Sequence, residues 1–229
     1  MARDVGVVIV AAGAGTRAGG TEPKQFRWIA GKPMLLHSVQ TFMERDDVAA
    51  VVCVLPRRYA GDPPPWLFQA DLDRLLVSVG GQTRTESVFH GLEDLPDEAR
   101  IVLVHDAARP LVGQATIDRV VAEARAGRAA TAALPVVDTL KEVADDGTVT
   151  RTLPREQLWR AQTPQGFPRE LILRAHGEAR RRGVDATDDA ALCEQLGHDV
   201  VVVRGSERAM KVTDEDDFAR VEALFSLPE

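Results

Sequence analysis

Arg17 and Lys24 bring two cations to one short stretch of small residues: Ala11, Ala12, Gly13, Ala14 and Gly15 precede the first, and Gly19 and Gly20 lie before the second. Backbone without bulky side chains can wrap an anion with its own N–H groups, and a flanking guanidinium and ammonium then neutralise the charge. The chemistry this predicts is phosphate handling, with a nucleotide as the expected ligand. Two familiar glycine loops can be tested by spacing. A Walker A loop needs Lys and then Ser or Thr directly after its last glycine, whereas Gly20 is followed by Thr21, Glu22 and Pro23. Gly13, Gly15 and Ala18 match the dinucleotide fingerprint, but that motif must open a helix, and Gly19, Gly20 and Pro23 are poor interior helix residues. It also requires an acid at the tip of the second strand, where the chain has Pro56, Arg57 and Arg58.

Asp106 and Arg109 form a second constellation. The apolar run Ile101–Val104 ends in His105 and Asp106, followed by Ala107, Ala108, Arg109 and Pro110. Parallel strands present ligand-binding residues at their carboxyl ends. There Asp106 could accept from a sugar hydroxyl or hold hydrated Mg2+, and Arg109 could fork onto a phosphate; the structural alternative is that the two pair with each other. His105 is expected to be a local hydrogen-bonding residue rather than a base. Gly80 and Gly81 follow another strand, and Ser87 lies in the helix opened there. Backbone amides and that hydroxyl could read a base edge or a ribose, or could simply begin a helix. Thr139, Arg155, Thr163 and Lys211 are polar residues at expected strand or hairpin ends, uninformative singly. Thr213 or Asp214 is expected to cap the last helix. Asp188 reads as a helix start rather than part of a metal site with Asp185 and Asp189, and Arg180–Arg182 as a solvated helix end.

Short β-branched runs that alternate with helical patterns must position these groups. Val5–Val10, Ala50–Leu55, Leu75–Val79, Ile101–Val104, Thr131–Val137 and Val200–Val203 are the expected strands, several apolar on both faces. Met34–Arg45, Thr85–Leu95, Ala115–Ala126, Arg169–Arg182, Asp188–Leu196 and Glu215–Phe225 are the expected helices. This alternation predicts an α/β fold with a doubly wound, mostly parallel sheet of the Rossmann-like kind. Residues 1–229 are expected to form one domain, with 56–66 a plain loop. One excursion breaks the pattern at 138–160, where alternating residues flank a turn at Asp145, Asp146 and Gly147. A lone hairpin is marginal in water, so a second copy of the chain is its expected support and a homodimer the expected assembly, with a hairpin lying on its own domain as the alternative.

The bulk composition narrows the partners. The 229-residue chain carries a net charge of −7, which disfavours a nucleic-acid or anionic-membrane surface. No apolar stretch approaches a membrane span, and residues 1–10 read as a first strand rather than a signal peptide. Cys53 and Cys193, in an expected strand and helix, read as buried hydrophobes of a reducing compartment, so a cytoplasmic location is expected.

Taken together, the segments resemble the 2-C-methyl-D-erythritol 4-phosphate cytidylyltransferase family across nearly the whole chain. The likeness rests on Ala11–Gly15 with Arg17 and Pro23–Gln25, Gly31–Pro33, Gly80–Gly81 with Arg84, Ser87 and Val88, Val104–Pro110, Asp138–Thr139, Thr163–Gln165, Thr187–Asp188 and Lys211–Thr213. The resemblance implies a nucleotidyltransferase that joins CTP to the sugar-alcohol phosphate and releases pyrophosphate, with Mg2+ on the triphosphate. It implies that Arg17 and Lys24 stabilise the transition state and that Arg155 and Lys211 position the sugar phosphate. Asp106, Arg109, Thr139 and Thr163 would be further substrate contacts, and residues 11–15, Gly81 and Ser87 the cytidine site. The hairpin would cross to a second subunit. Ala18 stands where the family usually has methionine, and Gln82 and Thr83 stand where it often has acids. A ribitol 5-phosphate cytidylyltransferase, which tends to carry a bulkier residue at the position of Ala108, is the nearest alternative, and a CTP-sensing module without turnover the alternative from another class.

Overall fold

The computed structural model describes residues 3–13 and 22–227. In chain order the elements are β1 (Val5–Val10), the two-residue strands β2 (Trp28–Ile29) and β3 (Lys32–Pro33), α1 (Met34–Met43), β4 (Val48–Leu55), α2 (Arg57–Ala60), β5 (Leu75–Val79), α3 (Arg84–Glu93), β6 (Ile101–Asp106) and α4 (Gln114–Arg125). There follow β7 (Ala129–Pro135), β8 (Leu140–Val143), β9 (Val149–Leu153), β10 (Trp159–Pro168), α5 (Arg169–Arg182), α6 (Asp189–Gln195), β11 (Val200–Arg204) and α7 (Glu215–Phe225). Seven strands make one sheet in the order β11-β7-β10-β6-β1-β4-β5. All its pairings are parallel except those of β10, which runs antiparallel to both β6 and β7.

Strand residues alternate between faces, and here both faces are covered. Val5, Val7 and Ile9 pack with Leu35, Val39 and Phe42 of α1 and Ile117 and Val120 of α4. Val8, with Val52, Val54, Val102 and Val104, meets Val88 and Leu92 of α3 and Ile172 and Ala175 of α5. This two-sided burial is the reason that β1, β4 and β6 read as unbroken apolar runs. The doubly wound, mostly parallel α/β architecture expected from the sequence is the one observed.

Strand β10 is absent from the sequence expectation. Gln162, Pro164, Gln165 and Gly166 have little strand propensity, yet they lie in the middle of the sheet. Pro164 is accommodated because the pairing with β7 shifts register between Ala161 and Gln165, where the ladder is already interrupted. Gly166 is required by packing: a Cβ there would stand 2.4 Å from Cγ1 of Val120 on α4. Gln165 is fully used, donating to Thr131 and Asp188 and accepting from the amides of Asp189 and Ala190.

The expected loop at 56–66 instead holds α2 and the start of a 3₁₀ turn at Pro65–Gln69. Its Tyr59 and Trp66 rings stand edge-on to Phe26 at 4.6 and 5.5 Å. That contact supports the short Lys24–Phe26 turn from below. Among the described residues the hairpin β8–β9 pairs only with itself, and no residue from 138 to 160 is buried. Its last two residues, Trp159 and Arg160, already belong to β10.

Candidate active site

Val10 stands in register with Val54 on one side and Asp106 on the other, so the carboxyl ends of β1, β4 and β6 meet at one edge of the sheet. A cleft of about 500 Å3 opens there. Ala11, Ala12, Gly13, Lys24, Gly81, Arg84, Ser87, Asp106 and Lys211 line it. The described part of the first loop is braced by buried Gln25, whose Nε2 donates to the carbonyls of Ala11 at 2.5 Å and Gly13 at 3.0 Å. Behind the loop, Gly80 lies so close that a Cβ would come within 2.2 Å of the Ala12 Cβ. Ala14, Gly15 and Arg17 fall outside the described residues.

Three chain segments are tied together around the cleft. Lys24 Nζ donates to the Val212 carbonyl at 2.7 Å, and the Val212 amide donates to the Ala108 carbonyl at 2.8 Å. Lys211 Nζ lies 2.6 Å from Asp106 Oδ2. The segment before α7 is fixed by a reciprocal capping box between Asp214 and Asp217, with Asp217 also accepting from the amide and hydroxyl of Thr213. Asp214 is therefore the cap, as the sequence allows.

Asp106 is the electrostatic centre. Burial works against its charge, but Arg84, Lys211 and Arg109 outweigh that and hold the carboxyl well below its usual range. Arg84 opens α3 after Thr83, whose side chain caps the helix by accepting from the Glu86 amide. Its guanidinium lies 2.8 Å from Asp189 and 3.5 Å from Asp106. Burial opposes the Arg84 charge too, yet the two carboxylates raise its pKa. Sequence reasoning missed Arg84, Asp189 and His176 as one group, because they are brought together from three helices. Asp188 does cap α6, its side chain accepting from the Ala191 amide, as expected.

The other candidates divide. Ser87 lines the cleft, but its hydroxyl is engaged within the turn, donating to the Thr83 carbonyl and accepting from the Gly81 amide. Thr163 is buried; its hydroxyl accepts from the Asp106 amide at 3.0 Å and lies 3.0 Å from His105 Nδ1. Burial pushes the His105 imidazole down to about 4, consistent with a hydrogen-bonding role. Arg109 does not form the Asp106 pair considered as a structural alternative. Its guanidinium holds the carbonyls of Ala209 at 2.8 Å and Ala161 at 3.3 Å. Burial lowers its pKa. Thr139 and Arg155 are exposed on the hairpin segment and do not line the cleft; Arg155 donates to the Val137 carbonyl.

A larger groove, about 590 Å3, lies at the opposite end of the strands, where Arg45, Asp47, Asp118 and Arg125 line it. Those four charges pair with one another. The glycine-lined cleft is the better candidate. Among the described residues no helix is long and apolar enough to cross a membrane.

The family model for 2-C-methyl-D-erythritol 4-phosphate cytidylyltransferase matches residues 5–226. A protein of that name from Desulforamulus reducens is 41% identical over 219 residues, covering 95% of this chain and 94% of its own. One from Streptomyces coelicolor is 44% identical over 229 residues, covering 96% and 84%. Among solved structures, the crystal structure of 2-C-methyl-D-erythritol 4-phosphate cytidylyltransferase from Thermus thermophilus superposes with a TM-score of 0.83 at 37% identity, over 98% of this chain and 100% of that one.

Proposed function

The chain belongs to the 2-C-methyl-D-erythritol 4-phosphate cytidylyltransferase family and is a CTP-dependent cytidylyltransferase of the non-mevalonate isoprenoid pathway; from that premise we propose how its residues divide the work. A phosphate oxygen of 2-C-methyl-D-erythritol 4-phosphate attacks the α-phosphorus of CTP while the bond to the β-phosphate breaks and pyrophosphate leaves. With a second pKa of about 6, that phosphate is already ionised at neutral pH, so no general base is required. The difficulty is that two anions must meet as charge builds on the α-phosphoryl oxygens, and cations fixed in advance address it.

Lys24 and Arg17 are assigned to the transition state, Lys211 and Arg155 to positioning the sugar phosphate. Asp106, Arg109, Thr139 and Thr163 are assigned to further substrate contacts, and Ala11–Gly15, Gly81 and Ser87 to the cytidine. The observation that supports this division most is the convergence of Lys24, Lys211 and Asp106 on one glycine-lined cleft at the carboxyl ends of β1 and β6. Mg2+ is assigned to the triphosphate. Asp106 offers one carboxylate, and among the described residues no group of three His, Cys, Asp or Glu could form a cage. Such a donor set fits an ion carried mainly by phosphate oxygens and water, with Asp106 as direct or water-mediated ligand. When bound, Mg2+ supplies charge neutralisation.

The 138–160 segment is assigned as the dimer arm of a single catalytic domain. Support comes from Val143 and Val149, each more than half exposed on it, from Val137 exposed just before it, and from a hairpin that among the described residues has no further strand to pair with. Thr139 and Arg155 would then serve the neighbour's cleft. A cytoplasmic location accords with two free, buried cysteines. Mixing Lys24→Ala with Arg155→Ala enzyme tests the arrangement by pyrophosphate release. Random exchange makes half the dimers hybrid with one intact site in two, so about a quarter of the wild-type rate should return. No return, with exchange verified by mass, would remove the crossing arm.

A further inference from the structure

Behind the cleft wall a line of charge runs up to Asp106 from residues to which the reaction assigns no role. His176 on α5 lies with Nε2 2.9 Å from Asp189 Oδ1, and both side chains are sealed from solvent. The other imidazole nitrogen, Nδ1, is buried with no hydrogen-bond partner among the described residues, so Asp189 is the ring's one anchor there. Asp189 Oδ2 stands 2.8 Å from Arg84 Nη1, while Arg84 Nη2 remains 3.5 Å from Asp106 Oδ1. Arg84 therefore lies between two carboxylates and sits closer to the buried one.

That asymmetry has a physical meaning. A guanidinium next to a single carboxylate closes onto it as a bidentate fork and occupies both oxygens. Asp106 already gives Oδ2 to Lys211 at 2.6 Å. If Arg84 also closed on Oδ1, each oxygen of the carboxylate would be committed to a cation, and less of its acceptor capacity would remain for a substrate. Burial disfavours the charge on Asp189, but Arg84 and His176 keep its carboxyl below the usual range, so the backward pull on Arg84 persists at neutral pH.

We propose that Asp189, braced by His176, is a positioning residue that holds Arg84 back from Asp106 and so keeps the Asp106 carboxylate available to substrate. The proposal rests on Asp106 being a substrate contact. In Asp189→Asn enzyme Arg84 collapses onto Asp106, and kcat/KM falls roughly 10- to 100-fold, the range for ångström-scale misplacement of a reacting group. The change should divide between kcat and the two KM values as it does in Asp106→Asn. In an Arg84→Gln background, where nothing can collapse, Asp189→Asn should have no further effect.

Steady-state pyrophosphate release with CTP and 2-C-methyl-D-erythritol 4-phosphate, together with thermal melts, reads all of this in the full-length enzyme. A purely structural Asp189 lowers the melting temperature and the active fraction but leaves both KM values alone; that result overturns the proposal. So does a double variant whose losses multiply. Unchanged kinetics in Asp106→Asn would instead overturn the substrate role of Asp106. Should Asp189→Asn fail to fold, His176→Leu carries the same readout, with His176→Gln, which keeps a donor, expected to restore it; an unaltered KM pattern in His176→Leu counts against the proposal.

Discussion

Replacing Lys24 with alanine removes an ammonium that the Val212 carbonyl holds at the cleft mouth, 2.7 Å away. One unit charge about 4 Å from another, in an effective dielectric of about 20, contributes about 4 kcal/mol, or about 1000-fold in rate. Only the charge that is new in the transition state counts toward kcat; half a unit gives about 2 kcal/mol, or about 30-fold. Lys24→Ala should therefore lower kcat between about 30- and 1000-fold, bracketing the usual loss of one preorganised donor. The fold should remain, because the charge-assisted hydrogen bond surrendered to Val212 is worth about 1.5–3 kcal/mol, less than the about 5–15 kcal/mol that separates a folded domain from its unfolded chain. Pyrophosphate release at saturating CTP and sugar phosphate measures the rate, and a circular dichroism melt checks the fold. A folded Lys24→Ala enzyme with kcat within about three-fold of wild type, about 0.7 kcal/mol, would refute the electrostatic argument.

Gly80→Ala should cost about 1–3 kcal/mol in urea denaturation, since the new methyl meets Ala12 at 2.2 Å and the Leu55 carbonyl at 3.2 Å. Gly13→Ala, with no described atom within 4 Å of its Cβ, should change stability by less than about 0.5 kcal/mol, so equal costs at the two positions would count against the packing argument. His105, pushed down to about 4 by burial, should show no NMR titration above pH 5. Its folded value lies below the unfolded one near 6.5, so the stability it contributes is complete above about pH 6.5 and declines as pH falls toward 4. An inflection of the His105 ring proton near 6.5 would contradict the buried environment. Placing lysine at both Val143 and Val149 should shift the protein toward monomer in light scattering without lowering its melting temperature, because both side chains are exposed in the isolated chain. Retention of a dimer would move the interface elsewhere.

Where burial alone dictates residue type, the chain is legible. Val5–Val10 and Ile101–Val104 can be read as parallel strands because both their faces are covered, and the groups at their carboxyl ends can be placed on one edge without coordinates. Trp159–Pro168 cannot. Its polar residues serve the helix cap of α6 and the Asp106 turn, and its proline and glycine answer to a register shift and to Val120, none of which leaves a local periodic trace. The candidate site shows the same division. Lys24, Lys211 and Asp106 stand in recognisable segments, whereas the pairing of Asp189 with Arg84 joins residues about a hundred positions apart. Only the folded chain specifies it. Tyr59 and Trp66 were hidden for a related reason: a proline-rich stretch looks like surface until Phe26 is seen beneath it.

Strand β10 is also a mechanical thread. Its first residues emerge from the exposed hairpin, and a few positions later Thr163 receives the amide of Asp106. Only four positions of chain separate Trp159 from Thr163, and across them the ladder with β7 changes register. The hairpin and the Asp106 end of β6 are thus joined by a short covalent path, so a change in how the hairpin packs has little chain in which to dissipate before it reaches Thr163.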